Sequence, residues 1–372
     1  MLKLSRRAQS IIDRVEAGRT IFTEDVSTEK RALAALRRHP RDILKMQNVL
    51  GVAYGYLSGD DVDKGKPDPI VYVTKKVPLS HLKKPDQVPK TVKVGRLRMT
   101  IRVLAIGGVE QVCNPGDRTP QRTAHNPYQP GCVIADLLPP NNTPVQLGTG
   151  GCCVRKSGDP AAPIFLLTAS HVIPANHNVG HPGNQAIGSW VADAAGGYDA
   201  CLCEVSPAIA PIKCLGHPNQ AQRPPLGAIV KKSGAGTGVT VSRVLQMPNL
   251  PGHVGTTVAI ENAKPLLPPP APQNPVPFLT HSDSGSVTMM GWPWFDLGPV
   301  TEAKIHARVA GHPPNVANHL TWMLRAQFFN AVVSLNYGQS NLGAPNGLPF
   351  LGFGHLASEV LGRFTDPMEI VS

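Results

Sequence analysis

The chain has 372 residues, a formal net charge of +11, 36 Gly, 38 Pro and only 5 % aromatics. Such a length allows two domains with a substantial core, and the Gly/Pro-rich, aromatic-poor mix argues against a helix bundle and for many short strands and turns. The excess charge is local: residues 1–105 hold 22 Lys/Arg against 11 Asp/Glu, and the remainder is balanced at 14 against 14.

Leu4, Ala8, Ile11, Ile12 and Val15 recur at helical spacing, and Gly18 ends that pattern. A second helix is expected after Ser27-Thr28, with Glu29 in its first turn, Leu33 and Leu36 on its apolar face and a stop before Pro40. A short helical stretch over 41–47 follows, so 1–48 reads as a helical N-terminal segment. The period then changes to two. Residues 49–56 and 69–74 alternate as strands across a Gly/Asp turn, with further strands at 92–94 and 97–104. Residues 49–112 therefore form a small basic α/β module, and the Pro/Asn/Gly-rich stretch 113–147 reads as a linker.

No apolar core of a secretion signal follows the first residues, and no apolar run approaches the ~20 residues of a membrane span. A cytoplasmic protein without membrane contact is expected. Its seven cysteines are then reduced and mostly buried, and none forms a CxxC pair, so no structural zinc is expected. His177 and His181 lie four apart in a Gly/Pro/Asn loop, which reads as solvated loop rather than metal site. No cofactor is implied.

The body of the chain carries three short sequences that belong together chemically. Thr168-Ala169-Ser170-His171 ends an apolar strand, Asp199-Ala200-Cys201-Leu202 opens an alternating one, and Ser282-Asp283-Ser284-Gly285 precedes the apolar run 287–290. A serine hydroxyl needs a neighbouring base to become a nucleophile, and the base needs an acid to hold its tautomer. His171, Asp199 and Ser284 are the candidates for base, acid and nucleophile. Asp193, in an Ala/Gly loop, is the competing acid; Ser282 and Ser286 are the competing serines.

The order His, Asp, Ser and the signatures TASH, DACL and SDSG resemble the trypsin-like serine peptidases of the chymotrypsin clan, whose usual forms are TAAH, D[IA]AL and GDSG. Four further stretches resemble a bacterial and plant narrow-leaf-type group of that clan. They are residues 48–56 (NVLGVAYGY), the strand ending Lys75-Lys76 with Val88-Pro89 after it, the Gly-Thr-Gly-Gly stretch at 148–151, and Lys232-Ser233-Gly234-Ala235-Gly236-Thr237-Gly238-Val239-Thr240. Ser242 stands where that group usually has Gly. The resemblance covers roughly 49–290. It implies a mainly β fold with a chymotrypsin-like double β-barrel over 148–372, flanked by the basic α/β module and by C-terminal helices.

The resemblance also implies roles. His171 would take the proton of Ser284, Asp199 would orient His171, and the backbone N–H groups of Ser282 and Ser284 would hold the oxyanion. The group has Gly where Ser282 stands, and a serine enters positive φ less freely. The sixth residue before the nucleophile is Phe278, placing an aromatic at the base of the specificity pocket and disfavouring cleavage after Arg or Lys. Val333, Ser334 and Leu335, on the strand expected over 331–338, would pair with the substrate backbone. Between these features, 265–277 holds seven prolines in thirteen residues and reads as a stiff loop. Residues 299–330 form an insertion with a helix at 315–329, and 356–364 a terminal helix.

The expected function is a serine endopeptidase acting on a protein or peptide. The alternative is a catalytically silent homologue binding extended peptides. A nucleic-acid-binding role is disfavoured, because the basic third has no Trp and no P-loop, zinc-finger or RNP motif. That surface better suits a protein partner or self-association.

Overall fold

The computed structural model describes residues 23–58, 61, 67–107, 109–111, 127–181, 185–206, 208, 211–213, 215–218, 220–224, 226–251, 253–261, 278–279, 282–290, 331–340 and 351–371. The helices expected near residues 4–15 and 315–329 and the Pro-rich stretch 265–277 lie outside these residues.

Helix α1 (Thr23–Arg37) starts earlier than the Ser27-Thr28 cap suggested, and buries Ala32 and Leu36. Short 3-10 turns follow at Ile43–Lys45, Leu79–His81 and Lys84–Asp86. The strands of the first third are β1 (Val49–Gly55), β2 (Asp68–Val73), β3 (Thr91–Val94), β4 (Leu97–Thr100), β5 (Arg102–Ala105) and β6 (Val109–Gln111). Next come β7 (Val133–Leu138), β8 (Thr143–Thr149), β9 (Cys152–Lys156), β10 (Phe165–Thr168), β11 (Asn178–Gly180), β12 (Ala186–Asp193) and β13 (Cys201–Val205). The last group is β14 (Gln220–Ala221), β15 (Ile229–Gly234), β16 (Gly238–Asn249), β17 (Thr257–Ile260), β18 (Val287–Met290), β19 (Ala331–Ser340) and β20 (Gly352–Leu356), then helix α2 (Ala357–Leu361) and β21 (Met368–Ile370).

Two sheets hold most of these strands. The first runs β21-β9-β10-β13-β12-β11-β7-β8, and its β8 and β9 are joined through Gly150-Gly151. The second contains β15-β18-β19-β20-β17-β16, and a β15–β16 pairing closes these six strands into a barrel. The mainly β architecture expected from the sequence is present, as one closed six-stranded barrel and a second, eight-stranded sheet.

Two expectations need correction. The linker expected over 113–147 contains β7 and most of β8, because Val133, Ile134, Ala135 and Leu137 are buried in a paired strand. The terminal helix expected over 356–364 is reduced to α2, since residues 352–356 pair with β17 and β19. Strands β1, β2 and β5 of the N-terminal module are continuous with the barrel sheet: β16 is 12 residues long, and its far end pairs with β1 from Gln246 to Asn249. One apolar cluster accordingly joins Leu36, Ile43, Val52 and Val71 to Val230, Val244, Val258, Met290 and Val333. The α1 residue Glu29 adds a largely buried ion pair with Arg223.

Candidate active site

β10 and β13 are antiparallel, with Thr168 opposite Cys201, so the turn after β10 and the turn before β13 lie at the same end. His171 is three residues beyond Thr168, and Asp199 two before Cys201. The register therefore brings them together. His171 Nδ1 bonds the Asp199 carboxylate through Oδ2, and the His171 backbone N–H donates to Asp199 Oδ1 at 2.9 Å. The two contacts fix both the ring and the main chain of His171. Below the ring the turn is tied down by Val172 N–H donating to Ala169 O at 3.0 Å and by buried Val172 and Ile173. Asp193, the competing acid, accepts from Trp190 Nε1 at 3.0 Å.

Burial pulls the Asp199 carboxyl upward, but the hydrogen bonds from the His171 ring and backbone more than offset it, so its pKa lies below the usual value. Behind it stands a ring cluster that sequence reasoning did not single out. His355 Nε2 accepts from Asp199 N–H at 3.4 Å, and the His355 ring lies 4.4 Å from Tyr337 and 5.3 Å from Tyr198. Burial lowers His355 to about 4, which keeps this imidazole neutral beside the carboxylate at neutral pH.

Ser284 stands at the seam of the two sheets. Its carbonyl accepts from Thr149 N–H at 2.8 Å, and its hydroxyl donates to Tyr337 O at 3.3 Å. The next residue, Gly285, has φ +85, and a Cβ there would collide with Thr168 Oγ1 and Thr149 O. Ser286, a competing serine, is buried with its Oγ accepting from Asn336 Nδ2 at 3.0 Å. Ser282 adopts the positive φ expected to be hard for it, +72°. Its carbonyl is held by Thr149 Oγ1 at 2.7 Å, and the same oxygen accepts from Ala235 N–H at 2.9 Å.

Asp283, just before Ser284, has a cradle of its own. Asp283 Oδ1 accepts from the N–H groups of Gly236 (2.9 Å) and Thr237 (3.2 Å), and Oδ2 from Thr237 Oγ1 (2.9 Å). Lys232 Nζ lies 3.2 Å from Oδ2, and both side chains are 0 % exposed. A Cβ at Gly234 would run into Asp283 Oδ1. The stretch from Lys232 to Thr240 is thus a carboxylate holder, and its Lys-x-Gly-x-x-Thr spacing was the signal available in the sequence. Burial lowers the Lys232 pKa, opposed by Asp283.

The four residues expected to bind substrate are placed otherwise. Phe278 is 1 % exposed, packs in the barrel core and carries the Lys232 ammonium 5.7 Å over its ring, so it is not the floor of an open pocket. Val333, Ser334 and Leu335 lie in the buried interior of a strand flanked by β18 and β20, which leaves them no free edge. His177, read as solvated, pairs with buried Asp136 at 2.6 Å, and His181 is buried near Tyr128. Cys132, Cys152, Cys153, Cys201 and Cys203 are buried, and burial pushes the Cys153 thiol up to about 12. Among the described residues, no helix is long and apolar enough to cross a membrane.

No family model and no curated protein matches the chain. Among solved structures it is similar to Thermobifida fusca Protease A, at 12 % identity over 66 % of this chain and 98 % of that one, with a TM-score of 0.39. It is also similar to a Cellulomonas bogoriensis chymotrypsin, at 11 % identity over 65 % and 97 %, with a TM-score of 0.37. A third likeness is to the alpha-lytic protease homolog N4, at 14 % identity over 65 % and 97 %, with a TM-score of 0.38.

Proposed function

We propose that the chain is a serine endopeptidase working through Ser284, His171 and Asp199. The observation that carries this reading is the double contact of Asp199 with His171, through ring Nδ1 and backbone N–H. It leaves Nε2 as the ring atom that serves a nucleophile. Ser284 Oγ attacks the scissile carbonyl while His171 Nε2 takes its proton. The tetrahedral oxyanion is met by the N–H groups of Ser282 and Ser284. His171 then gives the proton to the leaving amine, and an acyl-enzyme forms. Water, deprotonated by His171, attacks the ester and releases the acid and free Ser284. Asp199 stays ionised throughout and stabilises the protonated imidazole.

Labelling by a fluorophosphonate probe tests this. Wild-type protein labels, and Ser284→Ala and His171→Ala do not. Folded wild type that fails to label would sink the proposal and favour the second reading, a silent homologue that binds extended peptides. The observation behind that reading is that the Ser284 hydroxyl is fully buried and bonded to the Tyr337 carbonyl.

A further inference from the structure

β19 has two edges, and both are in use around the nucleophile. On one side β20 pairs with residues 334–339. On the other, β18 takes residues 331–335. Asn336 then exchanges backbone bonds with the nucleophile loop: Gly285 N–H donates to Asn336 O, and Asn336 N–H to Ser286 O, each at 2.9 Å. Tyr337 O accepts from Ser284 Oγ. The next three positions are taken by β6, with Gly338 opposite Gln111, Gln339 opposite Glu110 and Ser340 opposite Val109. Because β20 already holds the far side of Gly338 and Gln339, β6 lies on the nucleophile side, in line with β18.

The pairing is antiparallel, so β6 runs toward Ser284 and Gln111 is its nearest residue. Ser340 N–H donates to Leu351 O on the opposite side, so by alternation Gln339 turns its backbone N–H and C=O toward β6, and an extended peptide presenting a carbonyl to Ser284 from this edge needs that same donor and acceptor. Among the described residues β6 pairs with no other strand. Its neighbour in sequence, β5, is anchored separately on β2.

We infer that Val109–Gln111 occupies, within the same chain, the strand edge on which an extended peptide would approach Ser284. A peptide from outside must displace this segment. The catalytic sense of the occlusion rests on the proposed function; the competition for the edge does not.

The test uses the full chain with Val109→Pro/Glu110→Pro, which removes the ladder donor whichever residue faces the edge, and a milder Val109→Gly/Glu110→Gly variant in case the first misfolds. The probe is a fluorescent synthetic peptide with the sequence of residues 105–111, followed by anisotropy and by amide exchange at Gln339. Displacement predicts binding to the variants about tenfold or more tighter than to wild type, as expected when the competent state is a minor one. It also predicts fast exchange at Gln339 in the free variants, slowed again by the peptide, with the Ser340 amide, held by Leu351 O, unchanged. Equal affinity for wild type and the Gly variant, or unchanged exchange, overturns the inference. Fluorophosphonate labelling is read in parallel. Labelling absent from folded wild type while the affinity difference persists removes the peptidase reading and leaves the occluded edge standing.

Discussion

The two sheets each contribute one aspartate to the site, and the two carboxylates are held in opposite ways. Asp199 belongs to the first sheet and is 18 % exposed, and its partner is an imidazole that is itself 12 % exposed. Asp283 belongs to the barrel, is fully buried, and is held by a fully buried ammonium, a hydroxyl and two backbone N–H groups. A buried charge is tolerated only when paired and hydrogen-bonded, and removing one partner exposes the other to the full cost of desolvation. The contrast teaches that Asp283 is held for shape, while Asp199 is held in the way the proposed chemistry would need. The His171–Asp199 pair keeps contact with solvent, whereas Lys232 and Asp283 are sealed from it and hold each other beside the 282–285 turn.

The largest effect should come from the chemical carboxylate. Asp199→Asn should lower the fluorophosphonate labelling rate about 10⁴-fold, the loss expected when the orienting acid is neutralised, while thermal unfolding barely moves. A loss below about tenfold would show that Asp199 does not orient the base. Next comes the structural carboxylate. Lys232→Met should cost about 3–5 kcal/mol of stability in urea unfolding. Lys232→Met/Asp283→Leu should recover part of that loss, because no charge is then stranded, yet should not regain full labelling. A single variant within about 1 kcal/mol of wild type would erase the contrast between the two aspartates. The smallest effect concerns Ser282, whose φ of +72° costs a serine more than a glycine. Ser282→Gly should raise stability by about 1 kcal/mol or less, part of the relief being offset by the freer unfolded chain, with labelling unchanged. A destabilised Ser282→Gly would mean that the serine side chain holds the loop.

Much of this was legible in the chain. Alternating apolar runs marked β1, β2, β10 and β13, because a strand's side chains repeat every two residues. Each candidate catalytic residue sat at a strand end, where turn residues punctuate the pattern. The carboxylate holder was visible as a spacing but not as a function, since nothing local says which aspartate Lys232 meets 51 positions away. Phe278 was misread for the same reason: its neighbours in space, Lys232 among them, are remote in sequence.

By itself, then, the sequence determined the strand-rich fold class and marked His171 and Asp199 at strand ends that the register brings together, because both depend on local periodicity and short motifs. Tertiary structure alone decided which edges those strands offer. Strand pairing is set by register between distant segments, and only that register shows β1 and β2 extending the barrel, Val333 to Leu335 sealed between neighbours, and Val109–Gln111 lying on the edge beside Ser284.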